Sequence, residues 1–120
     1  MEYISFEQFK KMDIRVGTIR EVEPIENTDK LLKFQIDFNE KDEEGNKKLR
    51  QIISGIHEYY PNYKELVGKQ VLYIINLEPR KIKGYVSQGM LMAIDDPKSD
   101  NGRPIFLIPE EEANPGAKVH

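Results

Sequence analysis

The chain of 120 residues has no cysteine. Disulfides and thiolate metal sites are therefore excluded, and a cytosolic setting is favoured. Histidine is scarce: His57 and His120 are the only two, far apart, so no imidazole metal site is expected. Apolar runs are short. Val71–Ile75 is far below the ~20 residues that span a bilayer, and Met1 is followed by no basic-then-apolar leader. The expectation is a soluble, cytoplasmic chain without membrane contact. Catalytic patterns are missing as well. "SGIH" around His57 is no nucleophile elbow, and that histidine reads as a polar residue at a helix start. "GYVSQG" lacks the lysine and the strand–loop–helix context of a phosphate loop, and "EEE" at 110–112 reads as a solvated face. No enzyme, cofactor or metal is expected.

What is present is the pattern of one domain, residues 1–120, without repeats or linker. Met1 and the lack of a linker favour a free-standing chain. Residues 1–12 predict a short helix: Ser5 and Gln8 have capping-box spacing, with Ile4 and Phe9 at staple positions. So short a helix is not stable alone, so Phe6 and Phe9 must dock on something. From residue 13 the period becomes two. "IRVGTIREVEP" (14–24) predicts a strand with a bulge or sharp coil at Gly17. "LLKFQIDF" puts Leu32, Phe34, Ile36 and Phe38 on one face, and 39–48 reads as a hairpin loop turning at Gly45–Asn46. "LRQIISG" returns, "YYPNYKELVGK" holds one helical turn, and "QVLYIIN" (70–76) is a buried strand. "YVSQGMLMAI" (85–94) predicts a strand kinked at Gly89, and "IFLI" (105–108) a last short one.

Five principal strands with a helix between the third and fourth predict an all-β fold. The expected form is a five-stranded Greek-key barrel of the OB-fold kind, spanning 13–95, with a C-terminal extension strand over 104–120. Glycines 17, 55, 84 and 89 suit the corners of coiled strands. An SH3-like barrel is the rival, although it usually lacks the inserted helix.

Net charge is −3, which by itself argues against a nucleic-acid partner, but the distribution is uneven. Residues 27–34, 46–54 and 76–90 carry +1, +3 and +2, leaving −9 for the rest. An OB groove crosses strands two and three between the loops after strands one and four. Lys30, Lys33 and Arg50 fall on those strands, and Arg80, Lys81 and Lys83 on the fourth loop. Such cations would pair with phosphates, and Ser54, Asn76, Ser87, Gln88 and Met90 could touch sugars or bases. Tyr59, Tyr60 and Tyr63 are stacking candidates that read better as caps on a core.

The blocks "DIRVGTIREVEP", "TDKLLKFQIDF", "RQIISGI", "ELVGKQVLYIINLEPRKIKGYVSQGMLMA" and "IFLIP…NPGAKV" resemble the tRNA-binding domain found at the C-terminus of many methionyl-tRNA synthetases and as free-standing proteins. "NLEPRK" followed by "SQGM" carries the sharpest part. The resemblance implies an OB barrel that binds the outer corner of the tRNA elbow by shape, supplies tRNA to a synthetase, and dimerises through its terminal extensions. It places tRNA contacts on Asn27, Lys30, Arg50, Ser54, Asn76, Arg80, Lys81, Lys83, Ser87 and Met90. Two departures stand out: "IENTD" (25–29) replaces a His-Pro-Asn-Ala-Asp run, and Gln88 replaces a glutamate. Phe6, Phe9, Ile105 and Leu107 are the apolar residues expected at a homodimer interface. The alternative is a dimeric secretion chaperone of the same fold that binds unfolded polypeptides.

Overall fold

The computed structural model describes residues 1–120. α1 (Phe6–Lys10) begins at the capping box read from sequence: Ser5 Oγ accepts from Gln8 N–H, and Gln8 Oε1 accepts from Ser5 N–H. Ile4, at the staple position, remains 64% exposed. Asn76 pins the helix exit, its Oδ1 accepting from Asp13 N–H at 2.8 Å and its Nδ2 donating to Lys11 O at 2.6 Å.

The sheet is built on β1 (Ile14–Pro24), which is long enough to serve two halves of a curled structure. Its first half pairs with β4 (Gln70–Ile74), its second half with β2 (Leu32–Lys41), and β2 pairs with β3 (Lys47–Ser54), all antiparallel. The other edge of the first half is taken by β10 (Lys118–Val119). Thus the C-terminal residues fill the edge that β2 leaves open, and an unpaired edge is covered. β7 (Met90–Leu91) extends the sheet beyond β4, giving the order β3-β2-β1-β4-β7. This is the all-β, curled OB-type architecture that the pattern predicts.

Three local readings are corrected. The bulge in β1 lies between Ile19 and Glu21, not at Gly17. Gly17 serves a close approach instead: a Cβ there would lie 2.7 Å from Phe38 Cε1 and closer still to Ile36 Cγ2. The inserted helical turn is two short 3-10 segments, His57–Tyr59 and Tyr63–Leu66. The strand read over 85–94 is three pieces, β6 (Tyr85–Ser87), β7 and β8 (Ala93–Ile94), separated at Gly89 and Met92.

Leu32, Phe34, Ile36 and Phe38 all enter the core, as the alternation predicts, with Ile19, Ile52, Val71 and Tyr73. Phe38 meets Tyr73 edge to face with ring centroids 5.4 Å apart, a pairing worth about 0.5–1.5 kcal/mol beyond burial. Tyr60 and Tyr63 pack against this core, as caps. Tyr60 stacks on Phe106 of β9 (Ile105–Phe106) at 4.8 Å and donates to Pro104 O at 2.6 Å, fastening the extension to the body. Leu107 continues the attachment, its carbonyl accepting from Leu72 N–H and its N–H donating to Met92 O. No helix is long and apolar enough to cross a membrane.

Candidate nucleic-acid interface

The segment 80–87, read from sequence as a loop leading into a strand, is a hairpin. β5 (Arg80–Ile82) pairs with β6, and Ile82 faces Tyr85 across a two-residue turn. Lys83 and Gly84 both have positive φ, 51° and 87°, the signature of a type I′ turn whose twist matches the strands it joins. A non-glycine residue in the first of those positions is uncommon. Lys83 is held there at the hairpin tip, exposed.

The hairpin tip meets the loop between β1 and β2. Asn27, Thr28, Asp29, Lys30 and Leu31 line an open groove of about 440 Å³ together with Ile82 and Lys83. Asn27 is exposed in the left-handed region at φ 63°, and Thr28 Oγ donates to Ile25 O, which fixes the loop's bend. Lys30 O accepts from His57 N–H at 3.0 Å, so the loop is tied to the first 3-10 segment. Lys30, Arg80, Lys81 and Lys83 are all exposed and enter none of the protein's five ion pairs. They can therefore meet an anion without first giving up an internal carboxylate.

The other sequence-derived candidates occupy different positions. Arg50 is half-buried: its Nε and Nη2 bind Glu40 at 2.7 and 2.9 Å, and its Nη1 donates to Ile75 O and Gln88 O. Ser87 is buried, accepting from Ile53 N–H at 3.0 Å and donating to Gly89 O. Gln88 Oε1 accepts from Gln51 N–H, and Gln88 N–H donates to Gln51 O at 2.8 Å. These three residues close the barrel between β3 and the 86–90 segment, where side chains satisfy backbone groups that no neighbouring strand reaches. Lys33 is paired with Glu23 at 2.8 Å and only 18% of its side chain is exposed. Ser54 lies half-buried opposite Leu32, and Met90 leaves 48% of its surface in solvent.

The buried charge lies away from the groove. Burial alone would raise the pKa of Asp37, but hydrogen bonds from Asn39 N–H, Lys47 and Arg20 hold it below the usual carboxylate range. Asp37 thereby clamps the base of the β2–β3 hairpin, and Lys47 is spent on it.

The sequence reading missed Tyr85. It is 37% exposed, and Lys33 Nζ sits 4.5 Å from its ring centroid. The signal that could have found it is Lys83–Gly84 as a hairpin turn, which sets Tyr85 opposite Ile82 beside the groove.

With this geometry in place, the relationship to known proteins is informative. Residues 14–118 match the family described as "Putative tRNA binding domain". The chain belongs to this family of tRNA-binding domains. It is 45% identical over 118 residues to the methionine–tRNA ligase of Parabacteroides distasonis, a match covering 98% of this chain and 16% of the ligase. The domain therefore spans about one-sixth of the length of the curated relative it matches. Among solved structures it is similar to a MetRS-related protein from Pyrococcus horikoshii, with 34% identity, a TM-score of 0.83 and both chains covered in full. The chaperone CsaA from Bacillus anthracis has 26% identity and a TM-score of 0.77, covering 99% of this chain and all of the chaperone. The tRNA-binding relationship is thus the stronger one in sequence and in shape, and the domain is homologous to part of methionine–tRNA ligase.

Proposed function

We propose that this domain binds folded tRNA, without catalysis of its own, through the groove between the 27–31 loop and the 80–87 hairpin. Its role is to hold that tRNA for a methionine–tRNA ligase in the cytoplasm. The observation that supports this reading is the set of unpaired cations, Lys30, Arg80, Lys81 and Lys83, on the two elements flanking one groove. Asn27 and Met90 add exposed polar and polarizable contacts, and Ser54 lies nearby on the β3 end. Arg50, Lys33, Ser87, Gln88 and Asn76 line no part of that groove, and their side chains are engaged within the chain.

Arg80→Ala and Lys83→Ala should each weaken tRNA binding by about 1 kcal/mol or more and leave the fold intact. Filter binding beside Lys41→Ala and Lys98→Ala checks this. Normal binding by both hairpin variants, with loss in either control, would remove the groove from consideration.

Tethering raises local tRNA concentration and can strengthen overall binding by ~10²–10⁴ where both contacts form together. Added to or fused with a methionine–tRNA ligase catalytic chain, the domain should lower KM for tRNA and leave kcat nearly unchanged, as uniform binding does. The likeness to a chaperone sets the competing outcome. An unchanged KM with suppression of aggregation of unfolded polypeptides would favour that role instead.

The assembly we propose is a homodimer. Phe6 is 69% exposed and lines an apolar groove of about 330 Å³ with Phe9, Met12 and Val119. Exposed apolar surface of this kind marks interfaces, and a two-fold would set two basic grooves on one assembly. Ile105, in β9, and Leu107, just beyond it, are half-buried in their own chain, so the interface rests mainly on Phe6 and Phe9. Sedimentation at micromolar concentration should give about twice the 14.0 kDa chain mass, falling to the monomer in Phe6→Glu. A wild-type monomer would refute the assembly.

A further inference from the structure

We propose that Tyr85 is a stacking platform for one unpaired nucleobase, with Lys33 fixed against one face of its ring. The inference rests on the groove reading above and adds a requirement to it: the RNA must offer a base that is out of its stack.

Tyr85 stands beside the groove, not in its lining, because the Lys83–Gly84 turn pairs it with Ile82, one of the groove's lining residues. It packs in no aromatic pair, and its hydroxyl makes no hydrogen bond within the chain, unlike Tyr60, whose ring and hydroxyl are both used. A tyrosine in a core or as a cap normally finds such partners. Tyr85 instead keeps 37% of its surface in solvent and is met by a cation, Lys33 Nζ, 4.5 Å from the ring centroid. That cation is not a loose surface lysine. Glu23 holds it at 2.8 Å, and 82% of the side chain is covered, against the 18% left exposed. One face of the ring is therefore occupied by a fixed partner, and the ordering of both side chains precedes ligand binding.

A ring held in this way beside free phosphate-binding cations has the two components of single-strand recognition, a basic track and an aromatic surface. Lys30 and Lys83 supply the track in the adjoining groove. Every base has a π-face, so stacking on Tyr85 would select an exposed base without selecting its identity. A continuous A-form duplex presents no such face between its two ends and, when long, would engage the cations almost alone.

The test measures affinity at one salt concentration for three RNAs: folded tRNA, a single-stranded oligonucleotide carrying 2-aminopurine, and a long blunt duplex. Tyr85→Leu should weaken binding of the first two by roughly 5- to 100-fold and of the duplex by less than about 2-fold. Tyr85→Phe should restore both losses, because the ring and not the hydroxyl is used. 2-Aminopurine fluorescence should be quenched on binding to the wild type and not to Tyr85→Leu, a readout that a merely structural tyrosine would not move. Arg80→Ala should weaken all three RNAs. Wild-type tRNA affinity in Tyr85→Leu beside a weakened Arg80→Ala would overturn the stacking role and leave the groove reading standing. Undiminished tRNA binding in both variants would overturn the groove reading itself. Equal losses on duplex and single strand in Tyr85→Leu would also overturn stacking.

Discussion

Replacing Arg50 by alanine should cost the barrel about 3 kcal/mol and lower Tm by roughly 10 °C. The guanidinium is spent inside the chain: two nitrogens on Glu40, and a third on the carbonyls of Ile75 and Gln88. Alanine would leave a half-buried carboxylate without its partner and two carbonyls at the closure seam unpaired, and orphaned buried groups dominate such losses. A pH signature accompanies the change. The hydrogen bond from Arg50 is the main reason the Glu40 pKa lies below its ordinary 4.5. A depressed folded value means the pair's contribution is complete above the unfolded value and is lost as pH falls through the folded one. The urea midpoint of Arg50→Ala should therefore fall less steeply than that of the wild type between about pH 5 and 3. Thermal melts and urea titrations check both statements. A Tm within about 2 °C of wild type, together with a large loss of tRNA affinity, would return Arg50 to the RNA-contact role implied by the family resemblance.

The affinity for folded tRNA should collapse with salt. Neutralising a handful of phosphates gives a log–log slope of roughly −3 to −6, so raising salt from about 50 to 200 mM should cost about 60- to 4,000-fold. Four unpaired cations on one chain correspond to a slope near the lower limit, and two grooves on a dimer to one near the upper limit. Arg80→Ala should reduce the slope by about one unit. Outside the three basic windows the chain sums to −9, which disfavours anion binding elsewhere on its surface. A slope indistinguishable from zero would mean that the cations are not the binding surface.

Short-range signals in the sequence were reliable where one element is decided by its own residues. The Ser5/Gln8 box fixed the helix start, and alternation in Leu32–Phe38 placed four side chains in the core. β1 has the predicted limits of 14 and 24. In each case the deciding interactions span a few residues, so composition and period contain them. The resemblance carried by "NLEPRK" and "SQGM" likewise gave the family, because a series of blocks in order is a property of the chain alone.

What a side chain is used for was a different matter. Arg50, Ser87 and Gln88 looked like ligand residues because polar groups in a basic stretch suit phosphates. The tertiary structure turns them inward, where bonds such as Ser87 with Ile53 join residues 34 apart in sequence. Lys33 looks as free as Lys30 in the sequence, and Glu23 on the neighbouring strand pairs it. Conversely, Tyr85 looked like one tyrosine of six, until the hairpin and Lys33 set its ring beside the groove. The sequence by itself determined the elements, the charge windows and the family. Only closure of the barrel decided which polar groups are engaged within the chain, because that depends on register between distant strands, and a one-residue slip there exchanges inner and outer faces.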